Sequence, residues 1–392
     1  MEGYFRKRGK TWSYTIDTGM DPATGDRKQK TKGGFKTKKE AQTACATLAL
    51  ELDQGTYVKE VGKTFKDFAE EWLVIYSNTG RVKVSSISLR EYQSSKLMTY
   101  FRFEKIKDIT RKKYQDALFK LKESGLHGST LNGINTTGRM IFKKAVEMGY
   151  IKNDPTQYAV VPRSQQTVEE VEGEVEIPKY LEKSELSTLL ETARLKGLHS
   201  DYVVFKLLAY SGMRLGELCA LKWSDIDFGN HAISITKTYY NKNSNAINYI
   251  LQTPKTKTSK RVISIDETVL ESLEQHKSIQ NIYKMEHRDN YHDENFVFIN
   301  SRRYPGYPRP LNLFEDRMKR LLKLANLNQI LTPHSLRHTH TSLLAEAGVG
   351  LAEIMDRLGH KDDATTKAVY LHVTKTMKKE ASDKFSELMK SL

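Results

Sequence analysis

Hydrophobic positions recur along this chain with two different spacings, and the places where one gives way to the other mark its parts. Near the N-terminus residues 11–15 alternate, the run DPATG at 21–25 is a turn sequence, and residues 28–32 follow a polar strand pattern. Residues 38–54 then set Ala41, Ala44, Cys45, Leu48 and Leu52 at helical intervals. Together these predict a small three-stranded sheet backed by one helix over residues 1–57. The spacing changes at Thr64, where TFKDFAEEWLVIYS puts Phe65, Phe68, Ala69, Trp72, Leu73 and Tyr76 on one helix face. Further helices are predicted over 86–101, 110–124 and 130–148, the last closed by Gly149 and Tyr150 and by Asn153, Asp154 and Pro155. Residues 60–162 therefore read as a compact helical unit.

The pattern lapses over 163–177, where QQTVEEVEGEVEI holds five glutamates and no large aromatic, as a solvated, flexible connector would. From residue 178 it resumes as helices over 178–193 and 201–209, then a helix carrying Leu215, Leu218 and Leu221. Residues 232–235 and 262–265 read as strands, with TPKTKTSKR between them as a hairpin tip presenting Lys255, Lys257, Lys260 and Arg261. A short strand is expected at 296–299, a helix at 311–324, another after Pro333, and an amphipathic one through Leu351, Ile354, Met355 and Leu358 that Gly359 would end. Residues 377–392 form an amphipathic tail with Ala381, Phe385, Leu388 and Met389 on one side. A helix of about 15 residues is marginal alone in water, so this stripe must dock, on its own domain or on a neighbour. The expected fold class is multidomain α+β: an N-terminal sheet with a helix, a helical middle domain, and a mainly α domain over 178–392 with a small antiparallel sheet.

Charge narrows the function. The 392 residues carry 63 Lys and Arg against 48 Asp and Glu, a net +15, as suits a partner of polyphosphate. Residues 1–40 hold 11 basic and 5 acidic side chains among aromatics. Arg6, Lys7, Arg8, Lys10, Trp12, Lys28 and Lys30 are the candidates there for an open sheet face that lies in a DNA groove. In the helical unit Arg111, Lys112, Arg139 and Lys143 are candidate phosphate contacts, against the ordinary alternative of a solvated outer face. Cys45 and Cys219 fall in different predicted domains without ligand spacing and read as reduced core residues. No apolar run approaches a membrane span and the first residues lack a signal core, which predicts a cytoplasmic protein. His287 and His292 lack acidic or cysteine partners at ligand spacing, so no metal is expected.

The chemistry concentrates near the C-terminus. His334 and Arg337 lie one helical turn apart and could address one phosphate; His360 follows a helix-ending glycine, and Tyr370 comes ten residues later. Upstream, Arg214 begins a helix after Ser211 and Gly212, where it could share an anion with the helix N-terminus, and Glu217 is placed to orient its guanidinium. The runs G-x-R-x-x-E-x-x-x-L-x-W-x-D-I-D from Gly212, P-K-T-x-x-S-x-R from Pro254, H-x-x-R-H from His334 and L-G-H from Leu358, with Tyr370 beyond, resemble the tyrosine recombinases of the phage and conjugative-transposon integrase branch.

The resemblance covers about residues 180–385 and implies roles. Arg214 and Arg337 would clamp the phosphate, His334 is the histidine of the H-x-x-R motif, His360 the second histidine, and Tyr370 the nucleophile. Lys255 resembles the hairpin lysine that acts as general acid, with Lys257 the alternative. Residues 1–57 resemble the arm-type DNA-binding domain and 60–162 the core-binding domain. A 3'-phosphotyrosine linkage would conserve the bond energy, so neither metal nor ATP is needed, and no G-x-x-x-x-G-K-S/T loop occurs. The implied partners are double-stranded DNA attachment sites, a homo-tetramer on synapsed DNA in the bacterial cell, an excisionase and a DNA-bending protein. A type IB topoisomerase-like enzyme and a catalytically inactive DNA-binding regulator are the competing readings.

Overall fold

A computed structural model describes residues 3–20, 25–53, 62–80, 82–162, 180–242, 245–254, 259–359, 363–374 and 389. Lys255, Lys257 and His360, the acidic connector and the tail other than Met389 lie outside them. The chain divides into two compact units, Met1–Thr167 and Val168–Leu392.

In the first unit, β1 (Gly3–Arg8), β2 (Thr11–Met20) and β3 (Arg27–Phe35) form an antiparallel sheet in that order. Helix α1 (Lys38–Asp53) closes one face of it over Tyr14, Ile16, Ala41, Cys45 and Leu48. Gly3 lies opposite Ile16, and a Cβ there would stand 2.3 Å from the Cys45 sulfur, so the helix approaches only because that side chain is absent. The register divides the basic candidates between two faces, because strand side chains alternate. Lys7 pairs with Trp12 and Lys30 with Ile16, which puts all three on the helix side; Trp12 packs against the small core. Tyr4 and Arg6 pair with Thr15 and Ser13 on the open face, followed by Arg8 opposite Thr11. Lys28 falls within a register shift and is exposed, as is Lys10 at the β1–β2 turn. The expected single basic and aromatic face is thus corrected to Arg6 and Arg8 with Tyr4 on the open side.

The helical part comprises α2 (Phe65–Asn78), α3 (Val84–Phe101), α4 (Arg111–Glu123) and α5 (Gly128–Glu147). Thr64 and Asp67 cap α2 reciprocally, Asp67 N–H donating to Thr64 Oγ1 at 3.2 Å and Thr64 N–H to Asp67 Oδ2 at 3.4 Å. Phe65, Phe68, Trp72, Leu97, Phe101, Tyr114, Leu118, Ile134 and Phe142 make its core. After α5 the chain turns back across the bundle. Gln115 donates to the Val160 carbonyl at 2.8 Å and accepts from its N–H at 2.9 Å, and Arg139 donates to the Ala159 carbonyl at 3.4 Å. Arg111 lies over the Tyr158 ring at 4.9 Å. Two of the four basic candidates therefore also hold this returning strap, while Lys112 and Lys143 point outward.

In the second unit, the helix expected from residue 178 starts only at Lys183. Leu181 ahead of it is buried extended chain whose N–H donates to Thr339 Oγ1 at 2.9 Å. Helices α6 (Lys183–Lys196), α7 (Asp201–Ser211), α8 (Leu215–Cys219), α9 (Glu267–Glu286), α10 (Leu311–Leu324), α11 (Ser335–Glu346) and α12 (Leu351–Leu358) follow, and residues 364–374 form a further helix, α13. Nearly every residue of α7 is buried, which makes it the axis of the unit. Strands β4 (Ile226–Asp227), β5 (Ala232–Ile235) and β8 (Arg261–Ser264) form one small antiparallel sheet. The two expected strands do pair, and a second hairpin, β6 (Thr238–Asn241) with β7 (Tyr249–Gln252), lies between them in the chain, so that β7 and not β5 precedes the basic run. The strand expected at 296–299 is reduced to single bridges, Lys222 to Phe296 and Ile299 to Pro308. His287 stacks on Tyr283 at 4.0 Å, and His292 stacks on Tyr307 at 3.9 Å and hydrogen-bonds Tyr249 at 2.9 Å. Among the described residues no helix is long and apolar enough to cross a membrane.

Candidate phosphodiester site

The site is assembled where the end of α7, the start of α8, the start of α11 and the end of α12 converge. Helix α7 ends at Gly212, in a left-handed conformation with φ 63°. A Cβ at that position would meet His340 Cδ2 at 2.6 Å and Leu358 Cδ2 at 2.7 Å, so both the turn and the close packing require glycine. Its carbonyl accepts from Arg337 Nη1 at 2.6 Å, and the Leu358 carbonyl, at the end of α12, accepts from Arg337 Nη2 at 2.6 Å. Arg337 is 2% exposed. Burial first, then the charges of Arg214 and Arg261, bring it down to about 9, still protonated at neutral pH.

Arg214 is held differently. It precedes α8, and Glu217 accepts from both its backbone N–H at 2.9 Å and its Nη1 at 2.8 Å. A third of its side chain stays open to solvent. Burial alone would raise the Glu217 carboxyl, but the hydrogen bond and charge of Arg261, with Arg214, outweigh burial and hold it below the usual carboxylate range. Glu217 thus orients Arg214 as expected, and a second arginine shares it. That partner corrects the sequence reading: Arg261, expected at an exposed hairpin tip, is turned inward with 6% of its side chain exposed. Strand alternation carried the signal, because Arg261 shares the parity of the buried Ile263 and Ile265.

His334 sits just ahead of α11 and is exposed. Partial burial of its ring, then the charges of Arg337 and Arg214, push its pKa below the ordinary histidine value, with Asp363 acting the other way. The charges of Arg214 and Arg337 thus both act on the His334 ring, although His334 follows Arg214 by 120 residues in the chain. Asp363 caps the helix that carries Tyr370, accepting from Thr366 N–H at 3.0 Å and Thr366 Oγ1 at 2.5 Å. Asp363 and the buried Thr366 in this way fasten the start of the helix that carries Tyr370. Tyr370 packs, half-buried, on a small cluster with Ile354, Leu358, Ala345 and Val373. It is joined to Arg337 through Leu358, whose side chain is in the cluster and whose carbonyl holds the guanidinium.

Two further side chains complete the frame and were not singled out in the sequence. Arg357 donates from Nε to His340 Nε2 at 3.0 Å, and from Nη2 to the Ser264 carbonyl at 2.9 Å and the Tyr210 carbonyl at 3.2 Å. His340 lies 2.8 Å from the Ala209 carbonyl at Nδ1, which assigns the proton to Nδ1 and keeps the ring neutral. Both sit on faces that sequence periodicity marks only as amphipathic.

A helical domain with a small sheet that gathers arginines and a histidine around one open mouth is built to hold an anionic group. Residues 179–377 match the phage integrase family and residues 4–52 an arm DNA-binding domain. A probable integrase of prophage ps2 in Lactococcus lactis is 33% identical over 322 residues, covering 81% of this chain and 82% of that protein. The ICEBs1 integrase of Bacillus subtilis is 28% identical over 390 residues, 98% of this chain and 99% of its own. Among solved structures, the Tn1549 transposon integrase in complex with transposon right end DNA has a TM-score of 0.61 at 21% identity, covering 82% of this chain and 100% of that one. A lambda integrase dimer bound to a core site has a TM-score of 0.57 at 19% identity, covering 94% of each chain. The chain belongs to the phage integrase family, and its function is site-specific recombination of a mobile element.

Proposed function

We propose that the chain cleaves and rejoins duplex attachment sites with Tyr370 as nucleophile, and that Arg214 and Arg337 hold the scissile phosphate. The observation that carries this reading is the convergence of those two arginines, each anchored by its own hydrogen bonds, on His334, whose pKa both depress, beside the helix bearing Tyr370. The Tyr370 hydroxyl gives up its proton, its oxygen bonds to phosphorus, and the bond from phosphorus to the 5'-oxygen breaks. His334, neutral at pH 7, takes the proton; Lys255, or Lys257 in its place, protonates the leaving 5'-oxygen, and His360 adds a donor to the phosphate. Negative charge building on the phosphoryl oxygens is met by two guanidinium forks, so the step asks for neither metal nor nucleotide. A 5'-hydroxyl of a second DNA then reverses the chemistry.

The same reading extends outward. Tyr4, Arg6 and Arg8 on the open sheet face suit a DNA groove, and Arg111, Lys112, Arg139 and Lys143 suit phosphates along the core site. A homo-tetramer on synapsed DNA in the bacterial cytoplasm, with an excisionase and a DNA-bending protein setting direction, is the working assembly. The test is a nicked duplex that traps the covalent product. Parent protein in EDTA should yield a protein–DNA adduct on a denaturing gel, and Tyr370→Phe none. An unchanged adduct from Tyr370→Phe would overturn the assignment, and adduct lost only in EDTA would point to a metal nuclease. Relaxation of arbitrary supercoiled plasmids would favour the topoisomerase reading.

A further inference from the structure

Arg261 is fully committed inside the second unit, and each of its contacts leads to a different part of the reaction just proposed. Nη2 and Nη1 bind the two Glu217 oxygens at 2.9 and 3.2 Å, and Glu217 in turn holds Arg214. Nη1 also donates to the Ser259 carbonyl at 3.2 Å, in the segment that leads back four residues to Lys255. Nε donates to the Arg357 carbonyl at 2.8 Å, three residues before His360 at the end of α12. A planar guanidinium makes these bonds in fixed relative directions, so it ties α8, the start of β8 and the end of α12 to one another.

We propose that Arg261 is a positioning residue for recombination: a buried guanidinium that sets the Arg214 fork through Glu217 and holds Ser259 and the end of α12, from which the chain leads to Lys255 and to His360, in one geometry. The inference rests on the roles given above to Arg214, Lys255 and His360. Arg261 itself touches neither DNA nor the reacting atoms. A lysine in its place keeps the charge opposite Glu217 but has one nitrogen and no fork, so it cannot serve Glu217, Ser259 and Arg357 together. Misplacement by about 1 Å far from the chemistry costs on the order of 10²-fold in rate.

The experiment compares parent, Arg261→Lys, Glu217→Gln and the double variant in the full chain. It measures single-turnover cleavage of a nicked duplex at saturating protein, and the Kd for that duplex separately. Each is repeated with a duplex whose scissile 5'-oxygen is replaced by sulfur, a leaving group that needs no proton. Arg261→Lys should lower the cleavage rate about 10²-fold with Kd unchanged within about threefold, and the sulfur substrate should recover at least about tenfold of the loss. The double variant should be little worse than either single one, because both act at one node. Equal deficits on oxygen and sulfur substrates together with additive losses would overturn the proposal, as would a cleavage rate and a DNA affinity that fall together with the melting temperature. Glu217→Gln reads the same node from its other side if Arg261→Lys folds poorly. Adduct persisting in Tyr370→Phe would sink the earlier assignment while leaving the additivity test readable.

Discussion

Arg214 and Arg337 bring the same charge to the same mouth and are held in opposite ways. Arg337 is buried, with both terminal nitrogens spent on main-chain carbonyls that end two different helices. Arg214 gives one nitrogen to Glu217 and keeps a third of its side chain in solvent. The first is part of the fold as much as of the site. The second is a pre-aimed donor set whose remaining capacity faces outward. On the proposed reading, in which this mouth binds a phosphate and lets it react, one charge would fix the local field and the other would adapt to the ligand.

The sharpest way to break this comparison is to remove each guanidinium. Arg337→Ala should cost about 3–5 kcal/mol in stability, because two buried carbonyls lose charged donors and a cavity opens. Arg214→Ala should cost about 1 kcal/mol, since Glu217 keeps Arg261. Both should lower cleavage by about 10²-fold or more. Urea unfolding beside single-turnover cleavage separates the two columns, and equal stability losses would erase the distinction.

Gly212 tests the buried side alone. Gly212→Ala puts a methyl group within 2.7 Å of both His340 and Leu358 at a positive φ, which should cost about 2–3 kcal/mol. Cleavage should fall with it through displacement of the Arg337 partner carbonyl. Thermal melting that stays within about 1 °C of the parent, roughly 0.25–0.5 kcal/mol for a unit of this size, would show that the turn yields more easily than the packing implies.

Much of this arrangement is legible in the sequence, and the gaps have causes. Helix positions carried by strong spacing, such as Phe65 to Trp72 or Leu351 to Leu358, emerge within a few residues. The start of α6 was missed because Leu181 is buried in extended chain, where an apolar residue mimics helical periodicity. The inserted β6–β7 hairpin was missed because its exposed edge residues, such as Ile250, dilute the alternation. Arg214, Glu217, His334 and Arg337 stand in motifs dense enough to single out. Arg357 and His340 do not, because a half-buried arginine meeting a buried histidine 17 residues earlier follows from helix packing, which one-dimensional spacing does not encode. Trp12 shows the reverse error: aromatic and basic neighbours suggested one DNA-facing surface, but the β1–β2 register turns it toward α1.

Acidification sharpens the buried side further. His340 is held down to about 4 by burial and then by Arg357, against an ordinary value of 6.5. The unfolded chain therefore binds the proton first: this contribution is complete above about pH 6.5 and is lost as pH falls toward 4, reaching about 2 kcal/mol at pH 5. His276 is lowered in the same way, chiefly by its own burial, and His199 and His334 are also lowered, so the total slope is shared among them. His340→Gln keeps an acceptor for Arg357 and a donor for Ala209 without titrating. Comparing unfolding at pH 7.5 and pH 5.0, the parent should lose about 2 kcal/mol more than His340→Gln. Identical losses would mean that the ring takes up its proton as readily in the folded as in the unfolded chain.

The smallest effect concerns arginines that hold nothing in the fold. Arg6 and Arg8 stand on the open face of the N-terminal sheet, whereas Lys30 lies on the helix side of it. If the open face meets phosphate, each contact releases about one condensed counter-ion, and the slope of log K against log salt should shrink by about 0.9 for each arginine removed. Arg6→Ala and Arg8→Ala should each show this on a nonspecific duplex, with melting unchanged, because neither side chain supports the core. Lys30→Ala should leave the slope nearly as it was. This pairing separates face from charge: all three variants lose one positive charge from the same small sheet, so a general electrostatic attraction would lower the three slopes alike. Equal changes for Lys30 and Arg6 would mean that DNA responds to the net charge of the module and not to the face that the register exposes.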